Sequence, residues 1–178
     1  MPSVRFSVSI EPIETEIGFD ATGADDVKFL ISANAGEALG RISKIASGGE
    51  LSRIMLAMKT VFSKNDPIET MVFDEIDTGV SGIAAQRVGE KMSDLSRGKQ
   101  VLCITHLPQI AAIADNHDLI EKNERNGRTY TRVKELDREG RCLELARMHG
   151  GDNVSELTLA SAEEQLKAAD NYKLTSKN

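Results

Sequence analysis

The chain has 178 residues, of which 28 are acidic and 22 are basic, so its formal net charge at pH 7 is −6. Hydrophobic residues make up 40% of the sequence and charged residues 28%, which excludes a disordered, purely solvating segment and supplies enough apolar material for a hydrophobic core. The acidic balance excludes a surface that is basic throughout, and the lack of any apolar run near the ~20 residues of a membrane helix predicts a soluble, cytoplasmic protein with no membrane partner.

The first part of the chain is predicted to form two strands and a helix. Hydrophobic and polar residues alternate over 4–10 and again over 27–31, which is the pattern of half-buried strands. The intervening residues 18–26 are rich in turn formers, so we expect a hairpin. Apolar residues then recur every three or four positions, which predicts a helix that begins after Gly49 and ends near residues 64–67.

The middle of the chain alternates short apolar runs with helical patterns. Residues 70–73 and 100–104 read as buried strands, and residues 83–95 and 107–114 read as helices. This alternation predicts parallel strands joined by right-handed crossovers. Ligands of such sheets bind at the carboxyl ends of the strands, so the residues that follow each strand are the candidates for a site.

The last part of the chain is predicted to add an antiparallel ribbon and further helices. Apolar and β-prone residues at 119–120 and 130–134 flank Asn126-Gly127, a strong hairpin signal. Helical patterns follow over 141–148 and 154–171. The fold class is therefore α/β, with a mostly parallel sheet, flanking helices and antiparallel edge strands.

Two adjacent carboxylates, Asp74 and Glu75, follow the first buried strand. Such a pair is costly at a strand end unless a positive group lies nearby, and Mg²⁺ with phosphates would supply one. Neighbouring strand residues point to opposite faces, so the two acids share a task only if the chain bends after Asp74. One acid could then hold the metal while the other orients water. The alternative is a pair of solvated acids that cap the following turn.

A glycine-containing segment, Ser47-Gly48-Gly49-Glu50, precedes the first helix. Two glycines allow close approach of the backbone, and a helix start presents unpaired N–H groups to an anion. The segment therefore suits a phosphate contact. The alternative is an ordinary helix cap in which Glu50 stabilises the first turn.

A histidine, His106, follows the second buried strand and should emerge on the same sheet edge as the two acids. That position suits a contact to a phosphate or to an attacking water, although a plain polar role is the alternative, as it is for His117 and His149. A phosphate-cradling loop of the form G-x-x-x-x-G-K-[ST] is missing, because its one near match, residues 18–23, continues with Ala24. The chain thus carries half of a nucleotide site.

Four segments together resemble the ABC-type ATPases that are related to the SMC proteins. Ser47 to Arg53 resembles their signature motif, and residues 70–75 resemble their Walker B strand with its catalytic glutamate. Residues 76–79 resemble their D-loop, and Thr105-His106 resembles their switch histidine. The motifs occur in the order of that family. The amino-acid sequence in and around these motifs, over about residues 4–150, is similar to that of the carboxy-terminal half of the RecN family of bacterial double-strand-break repair ATPases.

The resemblance implies a role in ATP hydrolysis for each of these residues. Asp74 would hold Mg²⁺ through water, Glu75 would polarise the attacking water and His106 would contact the γ-phosphate. Asp77 would connect the two sites of a dimer. The signature residues would cap the γ-phosphate of ATP bound to the partner head, and they are Ser47, Gly48, Gly49 and Glu50.

The resemblance also implies partners. Residues 1–178 would form a single lobe, the carboxy-terminal half of an ATPase head, with a helical tail at 151–178. The Walker A loop would lie in an amino-terminal half of the same protein, beyond a coiled coil, so the chain alone should be inactive. Partners would be that half, a second head in a head-to-head homodimer, and DNA in the nucleoid. The alternatives are a head lobe of another ABC or SMC ATPase, a transporter included, or an inactive interaction lobe.

Basic residues are concentrated in the predicted ribbon. Residues 121–147 contain eight basic and six acidic side chains, and the basic ones cluster at Arg125, Arg128, Arg132 and Lys134. A solvated hairpin face and a DNA contact both account for this pattern.

Overall fold

The structure, a computed structural model, describes residues 4–32, 36, 38–44, 48–63, 65–125 and 127–176. Contacts divide the chain into two compact units, Met1–Leu51 and Ser52–Asn178. The strands of the first unit pair with one another, while both clusters of buried hydrophobic side chains belong to the second unit. The interpretation of residues 1–178 as one lobe of a larger head stays a prediction.

The first unit is built on an antiparallel sheet. Strand β1 spans Arg5–Pro12, β2 spans Asp25–Ser32 and β3 spans Gly40–Arg41, in the order β1-β2-β3. Val8 lies opposite Phe29, and that phenylalanine ring stacks on Phe6 with the ring centroids 6.0 Å apart. The predicted hairpin is therefore confirmed: β1 begins one residue later and ends two residues later than the alternating pattern, and β2 extends two residues before it and one residue after it.

The predicted helices and strands of the remaining chain are confirmed, with ends that shift by no more than five residues. In chain order they are α1 (Gly48–Phe62), β4 (Thr70–Phe73), α2 (Gly82–Ser96), β5 (Gln100–Cys103), α3 (Pro108–Ile113), β6 (Asp118–Arg125), β7 (Arg128–Glu135), α4 (Arg138–Gly150) and α5 (Glu156–Thr175). Strands β4 and β5 are parallel, and Phe73 lies beside Cys103. The antiparallel ribbon β6-β7 was expected at the edge of this sheet; within the described residues it is a separate sheet, because its strands pair only with each other.

Two hydrophobic clusters hold the second unit together. The first lies between α1, β4, α2 and α3, and its buried members are Leu56, Met71, Phe73, Ile76, Met92, Leu95 and Ile110. The second lies between α3, α4 and α5, and its buried members are Ala111, Ala112, Leu145, Ala146, Ala162 and Leu166. Helix α3 contributes to both, so it links the parallel sheet to the carboxy-terminal helices.

The helical tail packs on the second unit. Ser155 caps α5 through a reciprocal pair of hydrogen bonds with Thr158, and Leu166 is fully buried. Near the other end of α5, the Tyr172 hydroxyl donates to Asp94 at 3.1 Å and Lys173 pairs with Asp115 at 2.7 Å. None of the described helices combines the length and the apolar character needed to cross a bilayer.

Candidate active site

The chain bends sharply where β4 ends. Glu75 has a φ of 57°, in the left-handed region that side chains other than glycine rarely adopt. The Asp74 carboxylate stabilises the bend, since its Oδ1 accepts a hydrogen bond from the Glu75 N–H at 2.9 Å. Both acidic side chains are exposed. The sequence analysis predicts that the two acids can serve one site only if the chain bends after Asp74, and the structure shows this bend.

Helix α1 fixes the turn that follows the bend. The Ser52 hydroxyl donates to the Asp74 carbonyl oxygen at 3.2 Å. The Arg53 guanidinium donates to the carbonyl oxygens of Ile76 at 3.2 Å and Thr78 at 2.7 Å. One cation thus satisfies two backbone acceptors, which holds the acidic turn against the helix. Sequence reasoning missed both contacts, because the partners are more than twenty residues apart and the contacts depend on how α1 packs on β4.

A buried aspartate joins this turn to the end of β5. The Asp77 side chain is 4% exposed, and its Oδ2 accepts from the Thr105 hydroxyl at 2.7 Å and from the His106 N–H at 2.9 Å. The same oxygen lies 3.0 Å from Nδ1 of His106, whose side chain is 73% exposed. Because Nδ1 faces a carboxylate, it carries a proton, and Nε2 is left as the outward-facing nitrogen.

Opposing effects act on the pKa of Asp77. Burial raises it, but the hydrogen bonds from Thr105 and from the His106 backbone outweigh burial and hold the pKa below its usual value. Asp77 is therefore a carboxylate at neutral pH. Nearby, burial raises the pKa of the Cys103 thiol to about 12, and the charges of Asp77 and Asp74 add to the increase. Free Cys103 is therefore a neutral thiol at neutral pH.

The metal-binding capacity of this edge is small. No group of three or more His, Cys, Asp or Glu side chains in the described residues could hold a metal ion. That composition does not fit a zinc cage, which needs several ligands from the protein. It fits Mg²⁺, which often uses one or two carboxylates together with phosphates and water. Asp74 and Glu75 are both exposed carboxylates at this edge, and the role of Asp74 in holding Mg²⁺ stays a prediction.

The predicted signature residues lie at the start of α1. Gly48, Gly49 and Glu50 form its first turn, in which Gly49 is buried and Gly48 is exposed. These three residues belong to the first unit, whereas Asp74, Glu75, Asp77 and His106 belong to the second. Ser47 lies outside the described residues. The helix start is thus confirmed, and the phosphate contact stays a prediction.

The near match to a phosphate loop is a tight turn in an acidic environment. Asp20 accepts from the N–H and the hydroxyl of Thr22, at 2.7 and 2.6 Å. A cleft of about 900 Å³ beside this turn is lined by five carboxylates, those of Glu11, Glu14, Asp20, Asp25 and Asp26. Negative charge repels phosphate, so this structure supports the interpretation of residues 18–23 as a chance match.

Comparison with curated proteins identifies close relatives, although no protein-family model matches the chain. The DNA repair protein RecN of Bacillus subtilis is 54% identical over 153 residues, which are 86% of this chain and 27% of the relative. RecN of Halalkalibacterium halodurans is 47% identical over 174 residues, or 97% of this chain and 31% of the relative. The chain therefore spans less than a third of the length of these relatives.

Comparison with solved structures identifies the fold. An Smc head domain from Pyrococcus yayanosii, with a coiled coil and joint, superposes with a TM-score of 0.59 at 25% identity, over 83% of this chain and 26% of that one. An Smc head domain from Pyrococcus furiosus, bound to the C-terminal domain of ScpA, gives a TM-score of 0.56 at 25% identity, over 83% of this chain and 34% of that one. The sequence comparison thus relates the chain to part of RecN, and the structure comparison relates its fold to Smc head domains.

Proposed function

We propose that this chain, which is homologous to part of the DNA repair protein RecN and has the fold of an SMC head domain, is the carboxy-terminal lobe of an ATPase head that serves recombinational repair of DNA double-strand breaks. The observation that carries the proposal is the edge formed by β4 and β5. There an exposed acid pair follows one strand, and a histidine held by a buried aspartate follows the other.

Each residue of this edge has a separate proposed role in phosphoryl transfer. The left-handed bend turns Glu75 away from the strand direction, so that its carboxylate can accept a proton from an attacking water. His106 presents Nε2 to the γ-phosphate of ATP, while Asp77 orients the ring from behind. Asp74 would hold Mg²⁺, which neutralises phosphate charge when bound. Arg53 keeps the acidic turn in place, so the site is ordered before substrate binds.

The exposed faces of both units support a larger assembly. In β4-β5, Met71 and Phe73 are buried beneath the helices, whereas Val72, Leu102 and Ile104 on the opposite face are 50 to 63% exposed. Parallel strands are normally covered on both faces, so a two-stranded pair with one bare apolar face requires a further layer. We assign that layer to the amino-terminal half of the same protein, which would also supply the Walker A loop.

The first unit has a comparable bare face. The described residues leave five apolar side chains of β1 and β2 between 44 and 64% exposed, and they are Phe6, Val8, Ile10, Val27 and Phe29. The register places all five on one face of the hairpin, because Val8 pairs with Phe29. Such a contiguous patch marks an interface. The amino-terminal half is the proposed occupant here as well.

Two heads are proposed to close on ATP. The chain also shares its fold with an SMC ATPase that was solved in a study of ATP-driven dimerization and DNA stimulated activation. The similarity covers 84% of that chain at 23% identity. In this protein the start of α1 would meet the nucleotide of the partner head, because a helix start with two glycines suits an anion. Ser47→Arg should therefore block dimer closure without lowering ATP binding by a single head.

The experiment that tests the proposed function compares the isolated chain with the complete protein. The complete protein should hydrolyse ATP with Mg²⁺, Glu75→Gln should abolish turnover while ATP binding and the dimer persist, and the isolated chain should not turn over ATP. Hydrolysis by the isolated chain that is lost in Glu75→Gln would contradict the expected dependence on the amino-terminal half. Loss of both binding and turnover in the complete Glu75→Gln protein, with its fold intact, would contradict the role of Glu75.

A mixing experiment tests the placement of the signature residues. A Ser47→Arg protein is combined with a protein that lacks its Walker A lysine, so that a mixed dimer pairs one intact signature with one intact nucleotide pocket. Recovered hydrolysis supports a site shared between heads. If two folded variants, each able to pair with wild type, recover nothing together, the shared site is wrong.

A further inference from the structure

The two faces of the ribbon β6-β7 differ in charge. Alternate side chains of a strand point to opposite faces, and the register pairs Glu121 with Arg132 and Leu119 with Lys134. Among the residues whose side chains the structure describes, one face therefore carries Arg128, Arg132 and Lys134 with a single acid, Glu121. We call it the basic face. The opposite face carries Lys122 with three acids, Asp118, Glu124 and Glu135.

The three cations of the basic face are available to a ligand. Every residue of β7 is exposed, and Tyr130, which lies between Arg128 and Arg132 on the same face, is 54% exposed. Within the part of the chain that the structure describes, these three cations form no ion pair or side-chain hydrogen bond. Among the residues whose side chains the structure describes, three cations against one anion give the basic face a net charge of +2, in a chain whose net charge is −6.

We infer that the basic face binds the phosphodiester backbone of DNA. Charge complementarity is the argument: the rest of this acidic chain repels a polyanion, so contact has to be local, and here three extended cations lie in one row. At about 3.4 Å per strand residue the row from Arg128 to Lys134 is roughly 20 Å long, which spans several phosphates. Tyr130 adds an exposed aromatic ring on which a base can stack. The inference names a surface for the DNA partner in the proposed function.

Counterion release gives the expected salt dependence of the affinity for DNA. Three phosphate contacts give a slope of log affinity against log salt of about −2.7, so affinity should fall about 40-fold between about 50 and about 200 mM salt. The triple variant Arg128→Gln, Arg132→Gln, Lys134→Gln should remove most of this slope. Glutamine removes the charge, retains part of the aliphatic stem and stays polar, so the exposed ribbon should still fold.

The test measures fluorescence anisotropy of a labelled DNA duplex and of a labelled single strand, titrated with the 178-residue chain at several salt concentrations. The matched control uses one residue type on the two faces: Lys134→Gln should weaken binding and reduce the slope by about 1, whereas Lys122→Gln should do neither. Circular dichroism confirms that each variant is folded.

The outcomes separate this inference from the proposed function. Face-dependent loss of affinity supports the basic face as the DNA surface. Equal loss in Lys122→Gln and Lys134→Gln, unchanged binding by the triple variant, or no DNA binding by the chain at low salt overturns it. In the complete protein, ATP hydrolysis without DNA should be unchanged by the triple variant, so a failure of the proposed ATPase activity would appear in that assay and not in the anisotropy.

Discussion

Replacement of Asp77 tests the buried link between the acidic turn and the histidine. Asp77→Ala leaves the Thr105 hydroxyl and the His106 N–H without their acceptor, and both donors are partly buried. Each such donor costs about 1–3 kcal/mol, so we expect the free energy of unfolding to fall by about 2–6 kcal/mol. Asp77→Asn keeps one oxygen of similar shape but loses the charge, and should cost roughly half as much. Urea unfolding followed by circular dichroism measures both values.

The pH dependence of the same variants tests the charge. The pKa of Asp77 is held below its usual value, so the stabilisation from its charged form is fully present above about pH 4, the range of an unfolded aspartate, and is lost as pH falls through the lower pKa of the folded protein. The stability gap between wild type and Asp77→Asn should therefore shrink on acidification. A gap that is independent of pH between about pH 7 and about pH 3 would contradict the charged role.

A double-mutant cycle separates the hydrogen bond from general damage. Thr105→Val should cost about 1 kcal/mol or more in the wild-type background, but less in Asp77→Ala, where its hydroxyl has already lost the acceptor. Asp74→Ala is the control, because Asp74 is exposed and, among the described residues, its side chain accepts a hydrogen bond from the neighbouring N–H alone. If Asp74→Ala destabilises the chain as much as Asp77→Ala, or if the two cycle mutations are additive, the reasoning is refuted.

Three further outcomes follow from single positions. Glu75→Gly should be more stable than Glu75→Ala by about 1 kcal/mol in thermal unfolding, the reverse of the usual order, because φ is left-handed there; equal stabilities would argue against the bend. Leu166→Ala should cost about 2–5 kcal/mol while Leu157→Ala, 80% exposed, should cost under about 1, and equal effects would show that α5 is not packed as described. Gly89→Ala should lower the melting temperature at a cost of about 1–3 kcal/mol, since its Cβ would lie 3.0 Å from a methyl carbon of Ile113, and an unchanged melting temperature would place α3 further from α2.

The sequence by itself determined the type and order of the helices and strands. Hydrophobic periodicity is a local property, and the alternation over 4–10 and 27–31 and the apolar runs at 70–73 and 100–104 all mark observed strands. The motif order also identified the head fold before any tertiary contact was considered. The separation into two units was not visible, because the boundary after Leu51 falls inside the helical pattern of α1.

Only the tertiary structure decided what the polar residues near β4 and β5 contact. Asp77 was assigned from the motif to a contact across a dimer, a role that stays a prediction, while the structure shows its carboxylate buried against Thr105 and His106 of its own chain. Arg53 holds the acidic turn from a separate helix. Long-range hydrogen bonds depend on the packing of several elements at once, and neither residue type nor spacing encodes them. The left-handed φ of Glu75 has the same origin: the surrounding contacts impose a conformation that its own local preference disfavours.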